Sequence, residues 1–146
     1  MRVMVMIEGD GVDEDNVAPT EEILAAMGAY NEQLVNAGIM LDGDGLKPTS
    51  AGARIVFEGG TTSVVDGPFT EAKEIIAGFW IWEVRSLEEA VEWAKKCPSD
   101  PNATGRQLLE IRPFFEAGDF GEEFTPELQA QEEKLRERIA EQHGSK

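Results

Sequence analysis

An α+β sandwich of order βαβ, hairpin, βαβ is what this sequence predicts, on three observations. Two short runs, Val3 to Ile7 and Ile75 to Val84, are apolar with almost no polar alternation, the mark of strands covered on both faces. Each is followed by a capped amphipathic helix pattern and then by a weaker strand. Between the two halves lies a stretch whose apolar residues alternate on either side of a glycine pair. That order matches a ferredoxin-like βαββαβ sandwich carrying an inserted β-hairpin.

The first run, from Arg2 to Ile7, is predicted to be central in its sheet. Thr20 is a good N-cap, Glu21 and Glu22 favour the positive end of the helix dipole, and Ile23, Met27, Tyr30, Leu34 and Ala37 recur at helical spacing before Gly38. Ile39 to Leu46 reads as a short extended segment. Arg54 to Glu58 and Thr62 to Asp66, joined by Gly59-Gly60-Thr61, read as a hairpin with one polar face, placed at a sheet edge. In Ile75 to Val84, Phe79 and Ile81 point one way and Trp80, Trp82 and Val84 the other. Ser86 to Glu89 reads as a capping box, with Leu87, Ala90, Val91 and Ala94 as the stripe of a second helix ending before Pro98. Gln107 to Pro113 alternates Leu109 and Ile111 against Glu110 and Arg112. In the tail, Thr125 caps and Pro126 opens a helix to about Gln142, with Leu128, Leu135 and Ile139 as a thin apolar seam. Phe114, Phe115, Phe120 and Phe124 form an aromatic strap ahead of it.

Right-handed crossovers put both body helices on one face of the sheet, yet both strand runs carry large apolar residues on the other face too. Leaving such side chains in water forgoes roughly 2 to 3 kcal/mol each. Either a second copy closes face to face or the tail folds back.

Asp66-Gly67-Pro68-Phe69 is compact turn chemistry, and Glu71-Ala72-Lys73-Glu74 follows it. This stretch resembles the DGPF signature of the YCII-related (YciI-like) proteins. The likeness continues through Ala37-Gly38-Ile39-Met40-Leu41 with Gly43 to Leu46, Gly78-Phe79-Trp80, Glu92-Trp93-Ala94 with Cys97-Pro98, and Glu110-Ile111-Arg112-Pro113. It covers residues 1 to about 115, the acidic stretch Phe114 to Arg138 is similar to the tail of one subgroup, and residues 116 to 146 are read as an acidic C-terminal extension with a helix. The resemblance implies a dimeric α/β barrel, hence a homodimer. For this branch it also implies a link to extracytoplasmic-function sigma factors, and so a protein partner in a regulatory circuit. The family's His/Asp pair does not carry over, because the one histidine, His143, is the fourth residue from the end.

Composition narrows the function classes. The 146 residues suit one domain with a real core, and a net charge of −16 opposes phosphate backbones, so no nucleic-acid partner is expected. Cys97 is the single cysteine, which leaves no internal disulfide and reads as an inert thiol. No apolar run approaches the roughly 20 residues of a membrane span, and no signal pattern opens the chain, so a cytoplasmic protein with no membrane partner is the expectation. The sequon Asn102-Ala103-Thr104 then has no use. Gly9-Asp10-Gly11 meets Glu14 where a dinucleotide loop needs its third glycine, and Val17 and Pro19 spoil a calcium loop. No cofactor and no metal site is expected.

Chemistry, if any, is expected among Asp66, Glu71, Lys73 and Glu74 with Arg54 and Arg112. Asp66 reads as an Asx turn organising Gly67, Pro68 and Phe69, or as a pocket carboxylate. Lys73 reads as a surface ion pair or, with Arg112, as the holder of a small anionic ligand. Trp80 reads as core or as a pocket wall. The catalytic residues are unknown. Two functions compete: a ligand-binding or regulatory interaction module, and a lyase- or isomerase-type enzyme using carboxylate acid/base chemistry in a dimer cleft.

Overall fold

The computed structural model describes residues 1–9, 19–69, 74–101 and 106–144. The acids of the first loop (Asp10, Asp13, Glu14, Asp15), the candidates Glu71 and Lys73, and the sequon Asn102-Ala103-Thr104 lie outside the described residues. The chain divides into two units, Met1–Pro113 and Phe114–Lys146.

In the first unit the strands β1 (Arg2–Gly9), β2 (Met40–Gly45), β5 (Ile75–Glu83) and β6 (Gln107–Pro113) form one sheet in the order β2-β5-β1-β6. Every neighbouring pair is antiparallel. With helices α1 (Glu21–Asn36) and α2 (Leu87–Ala94) in the two crossovers, this is a mixed α+β unit compatible with the ferredoxin-like sandwich. The two runs expected to be internal, β1 and β5, are the two inner strands.

One face of the sheet holds the core. Val3, Val5, Trp80 and Trp82 pack with Tyr30, Leu34 and Ile39 and with Ala90 of α2, while Ile7, Leu109, Ile111 and Trp93 close the periphery. Register explains the choice of face, since Val3 lies opposite Trp82, Val5 opposite Trp80 and Ile111, and Ile7 opposite Leu109. The indole of Trp80 lies against the backbone of β2, where a Cβ on Gly43 would sit 2.7 Å from its Cδ1. Its Nε1–H donates to Asn31 Oδ1 on α1 at 2.9 Å. The Trp82 Nε1–H meets no acceptor among the described residues, although the side chain is wholly buried. An orphan donor costs about 1–3 kcal/mol. Burying an indole of about 150–250 Å² at about 25 cal/mol per Å² gains about 4–6, so packing wins.

Helix ends follow the expected chemistry with one change. Thr20 Oγ1 accepts the Ile23 N–H at 3.2 Å. The exit of α1 is a Schellman turn: Gly38 takes φ 73°, its N–H reaches the Val35 carbonyl, and the Ile39 N–H reaches Leu34. At α2 the Ser86 hydroxyl accepts the Glu89 N–H at 3.1 Å. The Glu89 carboxylate, however, takes the N–H of Arg85 at 3.0 Å rather than that of Ser86, because the Arg85 guanidinium holds it there at 2.6 Å. The stripe of α2 also differs from expectation. Ala90 is buried, and the core is completed by Trp93, Ala94 and Cys97. Leu87 and Val91 stay exposed, because the side of the helix that carries Ala90, Trp93 and Ala94 faces the sheet.

The hairpin, β3 (Ala53–Glu58) and β4 (Thr61–Asp66), corrects two expectations. Its turn has two residues, Gly59 and Gly60 at φ 56° and 78°, as a type I′ turn requires. It forms a separate two-stranded sheet rather than an edge of the main one. Ile55, Val64 and Phe57 are exposed, Phe57 to 78%.

The second unit contains two short 3-10 turns within Ala117–Glu123, separated by a kink at Gly121 (φ 68°), and α3 (Pro126–His143). Glu116 and Asp119 cap the first of these turns reciprocally, and Thr125 Oγ1 accepts the Leu128 N–H at 3.3 Å. Phe120 contacts Phe115 at 4.8 Å and Phe124 at 5.2 Å between ring centroids. Leu128, Leu135 and Ile139 of the seam are exposed.

Candidate functional site

Side chains alternate across a strand, so the residues interleaved with the core positions must share the sheet's second face. Cross-strand register sets them in three rows. Arg112, Met4, Ile81 and Asp42 form one; Glu110, Met6, Phe79 and Asp44 the next; Leu108, Glu8 and Ile76 the last. The centre is apolar, with Met6 buried and Met4, Phe79 and Ile81 partly exposed. The rim is charged.

Glu8 is the residue that sequence reasoning missed. It follows an apolar run and precedes an acidic loop, so it reads as the first residue of that loop. The alternation Met4, Met6, Glu8 against Arg112, Glu110, Leu108 was the signal that could have found it. Between Ile7 and Glu8 the pairing slips by one residue: Gly78 lies opposite Ile7 and Ile76 opposite Glu8, leaving Ala77 as a bulge on β5. Glu8 is only 8% exposed, and its Oε2 meets no donor among the described residues. Burial, first, raises its pKa from the ordinary carboxylate value, followed by the charges of Glu110 and Glu74 and a hydrogen bond with Glu74. A carboxyl so placed can hold a proton that ordinary surface acids have lost. Among the described residues no group of three or more His, Cys, Asp or Glu side chains is arranged to hold a metal ion.

The residues expected to form a site are spread over three places. Arg112 stands exposed on the second face, opposite Met4. Trp80 lies on the other face, 3% exposed beneath α1, with Tyr30 edge-on at 5.8 Å. Asp66 ends β4 opposite Ala53 and is exposed. Only Glu74, which precedes β5, joins Glu8 and Glu110.

The signature turn is tied into the base of the hairpin. The Gly67 N–H donates to the Gly52 carbonyl at 3.0 Å, and the Phe69 N–H to Thr49 Oγ1 at 3.2 Å. Any Cβ on Gly67 would overlap the Thr49 carbonyl, so glycine alone fits. The Arg54 guanidinium lies 3.9 Å from the centroid of the Phe69 ring, which engages that cation in a stacking contact. The Gly67–Pro68 peptide is cis.

The model of the YCII-related domain matches residues 1–116. An uncharacterized protein of Rhizobium meliloti (strain 1021) is 34% identical over 94 residues, spanning 64% of this chain and 74% of that protein. With a family model covering most of its length, the chain belongs to the YCII-related family.

Proposed function

We propose that the protein is a homodimeric module that binds a small ligand at the second face of its sheet, with two copies of that face closing on each other. The single observation that carries the reading is the make-up of this face. An apolar centre of Met4, Met6, Phe79 and Ile81 is bordered by Arg112 and Asp42 at one end and by Glu8 and Glu110 at the other. Apolar surface ringed by charge is the general constitution of ligand sites and of interfaces. A second copy would also give the exposed Ile55, Phe57 and Val64 of the hairpin a partner. The same hairpin is the place where a regulatory protein partner, implied by the family branch, would find apolar purchase.

Sedimentation equilibrium at micromolar concentration tests the assembly. The expected species is a dimer, converted to monomer by Phe79→Lys; a wild-type monomer overturns the reading. For binding, a thermal-shift screen of small metabolites should find a ligand that, at about 100 times its Kd, stabilises by about 2.7 kcal/mol.

A second reading, an enzyme of the lyase or isomerase type, is favoured by one observation, the buried Glu8 whose proton affinity is raised. It would serve as general acid or base. Under this reading Glu8→Gln abolishes turnover of a ligand found by the screen while leaving its binding within a few-fold.

A further inference from the structure

Resting on the ligand-binding reading, we infer that the ligand is a primary amine with an apolar body, whose ammonium group lies on Glu8 between Glu74 and Glu110. The orphan oxygen is the starting point. Glu8 Oε2 is buried and lacks a donor among the described residues, and a carboxylate in that position is costly unless a cation or a hydrogen-bond donor meets it. The groups facing it from the packed elements are acids: Glu110 on β6 and Glu74 before β5. Of the described cations along this edge, Arg106 is exposed just before β6 and is not among the charges acting on Glu8, and Arg112 stands two rows away, four residues along β6 from Leu108. At 3.3–3.4 Å per residue that is about 13 Å, too far to neutralise Glu8. An anionic ligand would be repelled at this end of the face, whereas an ammonium would meet three carboxylates.

Spacing supplies the rest of the ligand. Met6 and Phe79 form the row beside Glu8, about 7 Å away by the strand rise. A ring or short alkyl body resting there places an amine two to three bonds further on, over the carboxyl. Below the raised pKa of Glu8, binding exchanges a proton: the carboxyl gives up its hydrogen to solvent, and the carboxylate pairs with the incoming ammonium. No other bond is made or broken.

Isothermal titration of the full chain with three probes of one shape tests this: 2-phenylethylamine, 2-phenylethanol and phenylacetate. The amine should bind at least tenfold tighter than either of the others. Its affinity should rise by up to about tenfold per pH unit while Glu8 is protonated in the free protein. Glu8→Gln, the same shape without the charge, should remove the preference, and Glu74→Gln, at an exposed position, should reduce it if Glu8→Gln does not fold. Equal affinities, or tighter phenylacetate, overturn the amine while leaving a ligand site. Failure of all three probes to bind a demonstrated dimer also overturns it. Tighter amine binding by Lys73→Met would put the chain's own ammonium on Glu8 and overturn it too. A monomer in sedimentation defeats the underlying reading instead.

Discussion

The phenolic hydroxyl of Tyr30 donates to the Trp93 carbonyl at 2.6 Å, joining α1 to the last turn of α2 above the buried face of the sheet. Burial, and then the neighbouring Cys97, push the phenol above its ordinary pKa. Tyr30 is the only tyrosine, so phenolate absorbance reports it alone. In an alkaline titration no phenolate should form in the ordinary range near 10 while the fold persists. Its raised folded value means that the stability it contributes is present below about 10 and is lost as pH climbs through that raised value. Tyr30→Phe removes the bond and strands the carbonyl, an expected cost of about 1 to 2 kcal/mol by urea denaturation.

Two glycines should answer alanine in opposite ways. Gly67→Ala drives a methyl into the Thr49 carbonyl and should cost at least about 1–3 kcal/mol, because backbone must move. Gly28 lies inside α1 with open space where a methyl group would stand, so Gly28→Ala should gain about 0.5–1 kcal/mol. Melting of the two variants beside the parent reads both signs.

Glu8 makes a stability prediction that stands apart from any ligand. Its folded pKa lies above the unfolded one, so Glu8 favours the fold while protonated in both states, and that contribution drains away as pH rises through the folded value. Glu8→Gln cannot ionise. It should match the parent below the ordinary carboxylate range and melt higher than the parent at neutral pH. Thermal melts across that span check it, and equal curves at neutral pH would show that the carboxyl is not held in an unfavourable place.

Cys97 is expected to be a poor nucleophile. Burial pushes its thiol up to about 11, and its Sγ lies 3.4 Å from the Pro98 carbonyl. Iodoacetamide at neutral pH should label it slowly in the native protein and readily in urea.

The fold was legible wherever a local pattern had one outcome. The apolar runs around Val5 and Trp80 could only be inner strands, and Thr20, Ser86 and Thr125 could only be caps. Reading failed where the deciding partner is distant in sequence. Leu87 looks like stripe and Trp93 does not, yet it is Trp93 that packs on the core beside Ala90 and Ala94, while its carbonyl accepts from Tyr30 of α1. Glu8 looks like loop because it borders an acidic stretch, and its alternation with Met4 and Met6 gains meaning only once Leu108 and Ile76, far along the chain, flank it. Trp80 reads as pocket wall or as core from its strand alone; its hydrogen bond to Asn31 places it in the core.

The hairpin also has a bearing on how the sheet is built. It is inserted between β2 and β5, which are neighbours, and those strands are already joined where the Leu46 N–H reaches the Ala77 carbonyl at 2.8 Å. Gly52, Thr49, Gly67 and Phe69 cinch its neck. The arm is therefore an excursion from one ordinary β-turn site. Chains of this architecture can lengthen, trim or replace it while both crossovers, and every pairing of the four-stranded sheet, stay as they are.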